Sequence, residues 1–289
     1  MPEFVLKALQ TGVVLEQIEK FKGGVAQQNL SLDQMRELTI PLPPLPEQQR
    51  IVGILDEAFD GIATAKANTE KNLQNVRALF ESHLQSIFTQ RVGEWKQKTL
   101  EEIATTFGRG KSKHRPRNEP RLYGGEYPFI QTGDIRNADH FITEYSQTYS
   151  EAGLAQSKLW PKGTICITIA ANIAETGILG FDACFPDSVI GVVPNPKEAN
   201  VGFVEYLLQS FKARLQAMGK GSAQANINMG TFEHERFPFP SVPEQKNIVA
   251  KLDALSEEIQ RLESIYQQKL AALDALKKSL LHQAFSGQL

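Results

Sequence analysis

Between Arg109 and Arg121 the chain collects Arg109, Lys111, Lys113, Arg115, Arg117 and Arg121 against one acid, Glu119, a local charge of +5. His114 and Tyr123 add groups that can hydrogen-bond or stack. Over residues 93–240 the basic and acidic residues balance at 16 each, which leaves the rest of that stretch near −5. A neutral segment that gathers its cations in one Gly- and Pro-punctuated loop suits contact with a polyanionic backbone. A second polar stretch, 219–226, carries Lys220 and Ser222. It either helps grip such a backbone or forms a structural turn. Base reading would fall to neighbours such as Gln131, Thr132, Arg136 and Asn137. Arg pairs well with guanine, and Asn or Gln with adenine.

Reactive chemistry finds little support. Gly110-Lys111-Ser112 looks like the end of a phosphate loop, but that motif needs Gly at 105, where Thr stands. Asn195-Pro196-Lys197 lacks the aromatic end of an amino-methyltransferase motif, and no glycine-rich methyl-donor loop precedes it. His83, His114, His140, His234 and His282 are scattered without metal spacing. Cys166 and Cys184 lie in apolar surroundings and suit a reducing cytoplasm. Glu126 and Asp134 read as turn or surface residues. The expectation is a protein that catalyses nothing and needs no metal or cofactor.

The elements that must position the loop follow from an internal repeat. Pro41-Leu42-Pro43-Pro44-Leu45-Pro46-Glu47-Gln48 returns 197 residues later as Pro238-Phe239-Pro240-Ser241-Val242-Pro243-Glu244-Gln245. The register continues through Ile51, Val52, Leu55 and Asp56, which match Ile248, Val249, Leu252 and Asp253. A repeat of this length is a repeated structural unit. Its prolines favour an extended lead-in, with Pro46 and Pro243 at the first helical position. Apolar positions then recur at Ile51, Leu55, Phe59, Ile62, Lys66, Thr69, Leu73, Val76 and Phe80, with polar interruptions near the middle. The second copy runs Ile248, Leu252, Leu255, Ile259, Leu262, Tyr266, Lys269, Leu273, Leu276 and Leu280. This spacing predicts two helices of about 40 residues and roughly 60 Å. Neither can bury its stripe alone, so a coiled coil is expected, within one chain or between two.

The 289 residues, 41% hydrophobic and 22% charged with net charge −2, support a packed core and exclude global basicity. No secretory pattern or membrane-spanning apolar run occurs. Four segments are expected: 1–40 as the C-terminal remnant of a first domain, 41–92 as a long helix with its lead-in, 93–240 as an α/β or α+β domain, and 241–289 as the second long helix. Residues 4–21 read as one helix, 99–105 as a short helix and 201–218 as a helix. Strands are expected at 127–131, 163–170, 178–181 and 189–193, with glycine turns at 108–110, 124–125, 133, 177 and 219–221.

These residues resemble the specificity subunit of type I restriction-modification systems. The resemblance rests on residues 41–52 and their echo at 238–249, and on Trp95 with Leu100 and Ile103. It also rests on Tyr127-Pro128-Phe129-Ile130-Gln131-Thr132-Gly133-Asp134-Ile135 and Leu159-Trp160-Pro161-Lys162-Gly163. It implies an α/β target-recognition domain at 93–240 that reads half of a split double-stranded DNA site. It implies two long helices in an antiparallel coiled coil, on which methyltransferase subunits dock, with restriction subunits joining through the complex. Catalysis would belong to those partners, in the cytoplasm and away from any membrane. A complete member carries two recognition domains, and this sequence holds one. The helix repeat and the missing half raise the expectation of a homodimer. The rival reading is a coiled-coil scaffold whose middle domain binds another protein.

Overall fold

The computed structural model describes residues 1–21, 30–90, 95–170, 172–220 and 227–289. The elements run α1 (Pro2–Ala8), α2 (Gly12–Phe21), α3 (Leu32–Glu37), α4 (Leu45–Gln90), β1 (Lys96–Lys98) and β2 (Ala104–Arg109). A 3-10 turn at Pro120–Leu122 leads into β3 (Tyr123–Phe129). Then come α5 (Thr132–Asn137), β4 (Phe141–Ile142), β5 (Gln147–Tyr149), α6 (Glu151–Ala155), β6 (Leu159–Trp160), β7 (Ile165–Thr168) and β8 (Thr176–Leu179). The chain closes with β9 (Ala183–Cys184), β10 (Val189–Pro194), α7 (Val201–Lys220), α8 (Met229–Glu233), β11 (Phe237–Phe239) and α9 (Val242–Phe285). Two compact units emerge: residues 1–78 with 258–289, and residues 79–257.

In the first unit the long helices pair within the chain and run antiparallel. Lys66 Nζ meets Asp274 Oδ1 at 2.7 Å, and Arg77 Nε meets Glu263 Oε1 at 2.6 Å. Eleven residues up α4 are thus eleven residues down α9. The expected stripe from Ile51 to Phe80 is buried or half-buried at every position. The α9 stripe holds from Ile248 to Tyr266 and then slips: Lys269 and Leu276 are exposed, and Leu270 turns inward instead. A strict heptad drifts on a straight helix, so a stripe of this length loses register unless the helices supercoil to follow it.

The long helices start where the prolines stop constraining the backbone. Pro46 and Pro243 occupy the second helical position, one later than expected, where the missing N–H is still unneeded. Residues 4–21 form two helices, not one. The break at 9–11 is closed by Thr11, whose Oγ1 donates to Ala8 O at 2.6 Å.

The two units repeat the same local joint. In one, Gln245 Nε2 donates to Pro240 O at 2.9 Å, and its Oε1 accepts from Asn200 N at 2.8 Å. In the other, Gln48 Nε2 donates to Pro43 O at 2.8 Å, and its Oε1 accepts from the Met1 ammonium at 2.7 Å. Tyr206 donates to Asp253 Oδ1 at 2.8 Å, where Lys7 meets Asp56 Oδ1 at 2.5 Å. Phe203 packs on Phe88 with ring centroids 5.3 Å apart, and Phe4 on Phe285 at 4.9 Å. The α1 helix is therefore the counterpart of the start of α7, offset by 199 residues where the proline repeat has 197.

The second unit holds three sheets. One has five strands in the order β2-β10-β7-β8-β4, one has four in the order β5-β3-β9-β6, and β1 pairs with β11. Strand β7 reads Ile-Cys-Ile-Thr because both its faces are covered. Ile165 and Ile167 pack with Phe203, Val204 and Leu207 of α7. Cys166 points the other way, into Trp160, Phe185 and Ile135. Burial drives the Cys166 thiol well above its ordinary pKa, so it is an inert core residue.

Several local expectations are corrected. Residues 99–105 hold one turn, tied by Thr99 N to Glu102 Oε2 at 2.7 Å, before β2 begins at Ala104. Alternate residues of that strand must face the sheet, and this overrides the helical reading. Gly108 lies inside β2, Gly133 inside α5 and Gly177 inside β8, so these three do not make turns. At Gly177 a Cβ would come within 2.9 Å of Ile142 Cγ1, so close packing explains that glycine. Gly124, with φ +81°, sits in the irregularity where Tyr123 and Tyr127 both oppose Tyr149. Residues 221–226 and the echo at 23–29 lie outside the described residues.

One buried polar cluster joins the five-stranded sheet to α7 and α9. His140 Nδ1 stands 2.7 Å from the fully buried Glu205 carboxylate, which also accepts from Thr176 Oγ1 and Gln209 Nε2 at 2.7 Å. The imidazole stacks on Tyr206, which in turn bonds Asp253. Burial by itself would lower the His140 pKa. The Glu205 hydrogen bond and the charges of Glu205, Asp253 and Asp139 outweigh it, and the net shift is upward. A raised folded-state value means the charged pair stabilises fully below the ordinary histidine value and fades as pH rises through the folded one. Replacing His140 by Gln is expected to lower stability by about 3 kcal/mol at pH 6. The gap between the wild-type and H140Q melting temperatures should narrow from pH 6 to pH 9. A gap that is constant or widens over that range would contradict the charged pair.

Candidate nucleic-acid interface

The cationic residues occupy the connection from β2 to β3, and the backbone around it is pinned at both ends. At its start Gly110 N donates to Val189 O at 2.9 Å and Lys111 N to Phe185 O at 3.1 Å. A Cβ on Gly110 would lie 2.3 Å from Phe185 O and 2.4 Å from Pro186 O, so only glycine fits. In the middle, Ser157 Oγ donates to Lys111 O at 2.8 Å, and His114 N donates to Gln156 Oε1 at 3.0 Å. At its end Tyr123 OH donates to Arg117 O at 2.6 Å and Ser150 Oγ to Arg121 O at 2.7 Å. A Gly110→Ala variant is expected to lose about 1–3 kcal/mol through the forced backbone shift. Its loss of duplex affinity should exceed that of a strand control such as Gly108→Ala, where an added Cβ meets nothing within 4 Å. Equal affinities for the two variants would show that the loop anchor is irrelevant to binding.

The six cations divide by what they touch. Arg117 Nη2 lies 2.8 and 2.9 Å from the two Asp187 carboxylate oxygens, so its guanidinium clasps the loop to the β9–β10 connection. Arg109 Nε donates to the Asp187 backbone carbonyl at 2.7 Å. Arg115 Nη1 donates to Ser112 O and His114 O at 2.6 and 2.8 Å, which orders the side chain without neutralising it. Glu119 stands 3.7 Å from His114 Nε2 and 3.8 Å from Arg121 Nε. Lys111 and Lys113 are exposed and have no acidic partner among the described residues. The loop thus spends part of its charge on holding itself and leaves Arg109, Lys111, Lys113 and Arg115 uncompensated toward solvent.

Gln131, Thr132, Arg136 and Asn137 lie beyond β3, on and before α5. Gln131 N donates to Asp134 Oδ2 at 2.8 Å as the cap of that helix, while Ile135 is buried in the core beneath it. Arg136 Nη1 reaches Asn172 Oδ1 at 3.5 Å, and Arg136 and Asn137 are exposed. Among the described residues no hydrogen bond or ion pair links this group to the cationic loop. Lys220 closes α7, and Ser222 lies outside the described residues. No group of three or more His, Cys, Asp and Glu side chains among the described residues is placed to hold a metal. No described helix is long and apolar enough to cross a membrane.

Sequence reasoning missed two participants. Asp187 lies 66 residues beyond Arg121 and shows no local pattern. Lys158 is the other: its Nζ lies 3.6 Å from the centroid of the Trp160 ring. Burial, and then the nearby Lys111 ammonium, hold the Lys158 ammonium below its ordinary pKa. Its sequence neighbourhood, Ser157-Lys158-Leu159-Trp160-Pro161-Lys162, does place a lysine two residues from an aromatic, a faint signal of this contact.

The chain matches the family described as type I restriction modification DNA specificity domain over residues 4–75 and 93–270. It is 23% identical over 312 residues to the type I restriction enzyme EcoBI specificity subunit of Escherichia coli, covering 95% of this chain and 63% of that one. It is 22% identical over 309 residues to the EcoKI specificity subunit of Escherichia coli K12, covering 99% of this chain and 65% of that one. The chain therefore spans just under two thirds of the length of these curated relatives. Its fold is similar to that of the HsdS subunit from Thermoanaerobacter tengcongensis, with a TM-score of 0.67 at 21% identity over 100% of this chain and 71% of that one. A second solved chain, from work on complex assembly and conformational transition of the type I R-M system, gives a TM-score of 0.86 at 21% identity over 100% of this chain and 72% of that one. With the family's sequence pattern present across both the α/β body and the helices that frame it, the protein belongs to the type I restriction modification DNA specificity family.

Proposed function

We propose that this chain acts as a DNA specificity subunit that reads a short duplex half-site through residues 93–240 and catalyses nothing itself. The carrying observation is the pinned β2–β3 loop, which presents Arg109, Lys111, Lys113 and Arg115 without acidic partners. Uncompensated cations on a fixed backbone are what counterion release from duplex DNA requires. Phosphate contacts set the register of a protein on the duplex, and base-edge contacts then discriminate sequence. Gln131, Thr132, Arg136 and Asn137, at the far end of β3, are proposed for that second task. His114, Arg117, Arg121 and Tyr123 shape and hold the loop, and Lys220 and Ser222 are proposed to add backbone contacts.

In this reading residues 1–40 are the closing part of a first recognition domain, and 93–240 are the next one. The segments 41–92 and 241–289 form the antiparallel spacer on which methyltransferase subunits dock. Restriction subunits join through that complex, in the cytoplasm. The recurrence of the Gln48 and Gln245 joints supports the view that each long helix is built to seat one recognition domain. A homodimer would supply two such domains from two copies. Gel-shift titration with random duplex at several salt concentrations, followed by co-purification with an adjacent methyltransferase, tests this. Salt-dependent binding and a stable complex are expected. A chain that binds neither duplex nor methyltransferase contradicts the proposal.

A further inference from the structure

The loop's cations do not stand alone. Lys158 reaches the same surface from a separate segment, through a closed circuit of contacts. Its ammonium lies over Trp160 at 3.6 Å. Trp160 stacks on Phe185, with centroids 5.0 Å apart and planes 20° apart. The Phe185 carbonyl accepts from Lys111 N at 3.1 Å, and the Lys111 carbonyl accepts from Ser157 Oγ at 2.8 Å. Ser157 is the residue before Lys158, so the circuit returns to its start. It seats Lys158 on the aromatic pair and fixes the Lys111 backbone beside it, with no acid paired to either lysine among the described residues.

We propose that Lys158 is a DNA-phosphate contact, paired with Lys111 across the base of the cationic loop. This rests on the reading of the loop as a duplex-binding surface and adds to it a residue that no motif marks. Two like charges held side by side repel, and an anion placed between them removes that repulsion. The depressed basicity of Lys158, caused by burial and then by Lys111, agrees with such an unanswered pair. A duplex phosphate is the anion the surrounding surface favours, because the exposed Lys113 and Arg115 follow Lys111 in the same loop. The seat of the ammonium on the Trp160 ring limits its freedom before binding, so little ordering is left to the complex.

The test uses the full chain. Lys158→Met keeps an unbranched side chain of similar length beside Trp160 and removes the charge, while Lys158→Arg keeps the charge. K158M is expected to reduce the slope of log affinity against log salt by about 0.9, the value for one neutralised phosphate, and K158R to restore it. In parallel, lysines of the unmodified protein are acetylated with and without duplex and mapped by mass spectrometry. Lys158 and Lys111 are expected to be protected together. A folded K158M with the wild-type slope, or Lys158 labelled equally with and without duplex while Lys111 is protected, overturns the pair and leaves Lys158 as a cover for Trp160. If K158M does not fold, the acetylation map decides. An unmodified chain with no salt-dependent binding overturns the loop reading and the pair together.

Discussion

Replacing Lys111, Lys113 and Arg115 together by Ala is expected to flatten the salt dependence of duplex binding by about 2.7 in log–log slope, or about 0.9 for each phosphate no longer neutralised. At 0.1 M salt that amounts to a loss of affinity of about two to three orders of magnitude. The loss should be nearly the same for every duplex, because phosphates carry no sequence information. All three side chains are exposed and none meets an acid; only the Arg115 bonds to the Ser112 and His114 carbonyls are lost, so the core of the fold is untouched. Arg117 is left out of the set deliberately: its bidentate bond to Asp187 makes R117A a loop-loosening change. Affinity measured by fluorescence anisotropy from 50 to 300 mM salt reads the slope. A triple variant with the parental slope would remove this loop from the interface.

The second large effect is structural. Phe203 is fully buried at the start of α7, with ring centroids 5.3 Å from Phe88, 6.1 Å from Trp95 and 5.7 Å from Phe239. It therefore joins the end of α4, the β1–β11 pair and the sheet body at one point. Phe203→Ala is expected to cost about 3–5 kcal/mol, from the burial forgone plus the cavity left behind. Phe203→Leu should recover most of it. Denaturant unfolding followed through the emission of Trp95 reads both. A loss below about 1 kcal/mol would mean that this aromatic joint does not hold the unit together.

The long helices were the most legible part of the chain. Their apolar stripes have a period, and the Gln48 and Gln245 joints follow a repeat visible by eye. What the repeat could not show was α1 as a counterpart of α7. The two segments are offset by 199 residues, not 197, and share only Phe-Val at their start and Leu-Gln just after α1. The sheets were less legible. Strands of two or three residues such as β4, β6 and β9 are too short for alternation to register. Glycine 177 reads as a turn because its reason, a neighbour's side chain, is non-local, and glycine 133 does because six helical residues are too few to show a period. The charge of the candidate site was legible from composition alone. Its internal division was not, since Asp187 and Lys158 meet the loop only through the fold.

The proposed sequence-selective recognition of duplex is measured most directly by selection from a library of randomised duplexes. The purified chain, alone and with its methyltransferase, selects the duplexes, and the bound pool is sequenced. A short enriched half-site is expected, lost when Gln131, Arg136 and Asn137 are replaced and kept, at weaker affinity, when Lys111, Lys113 and Arg115 are replaced. A bound pool indistinguishable from the input library, with or without the methyltransferase, would contradict it.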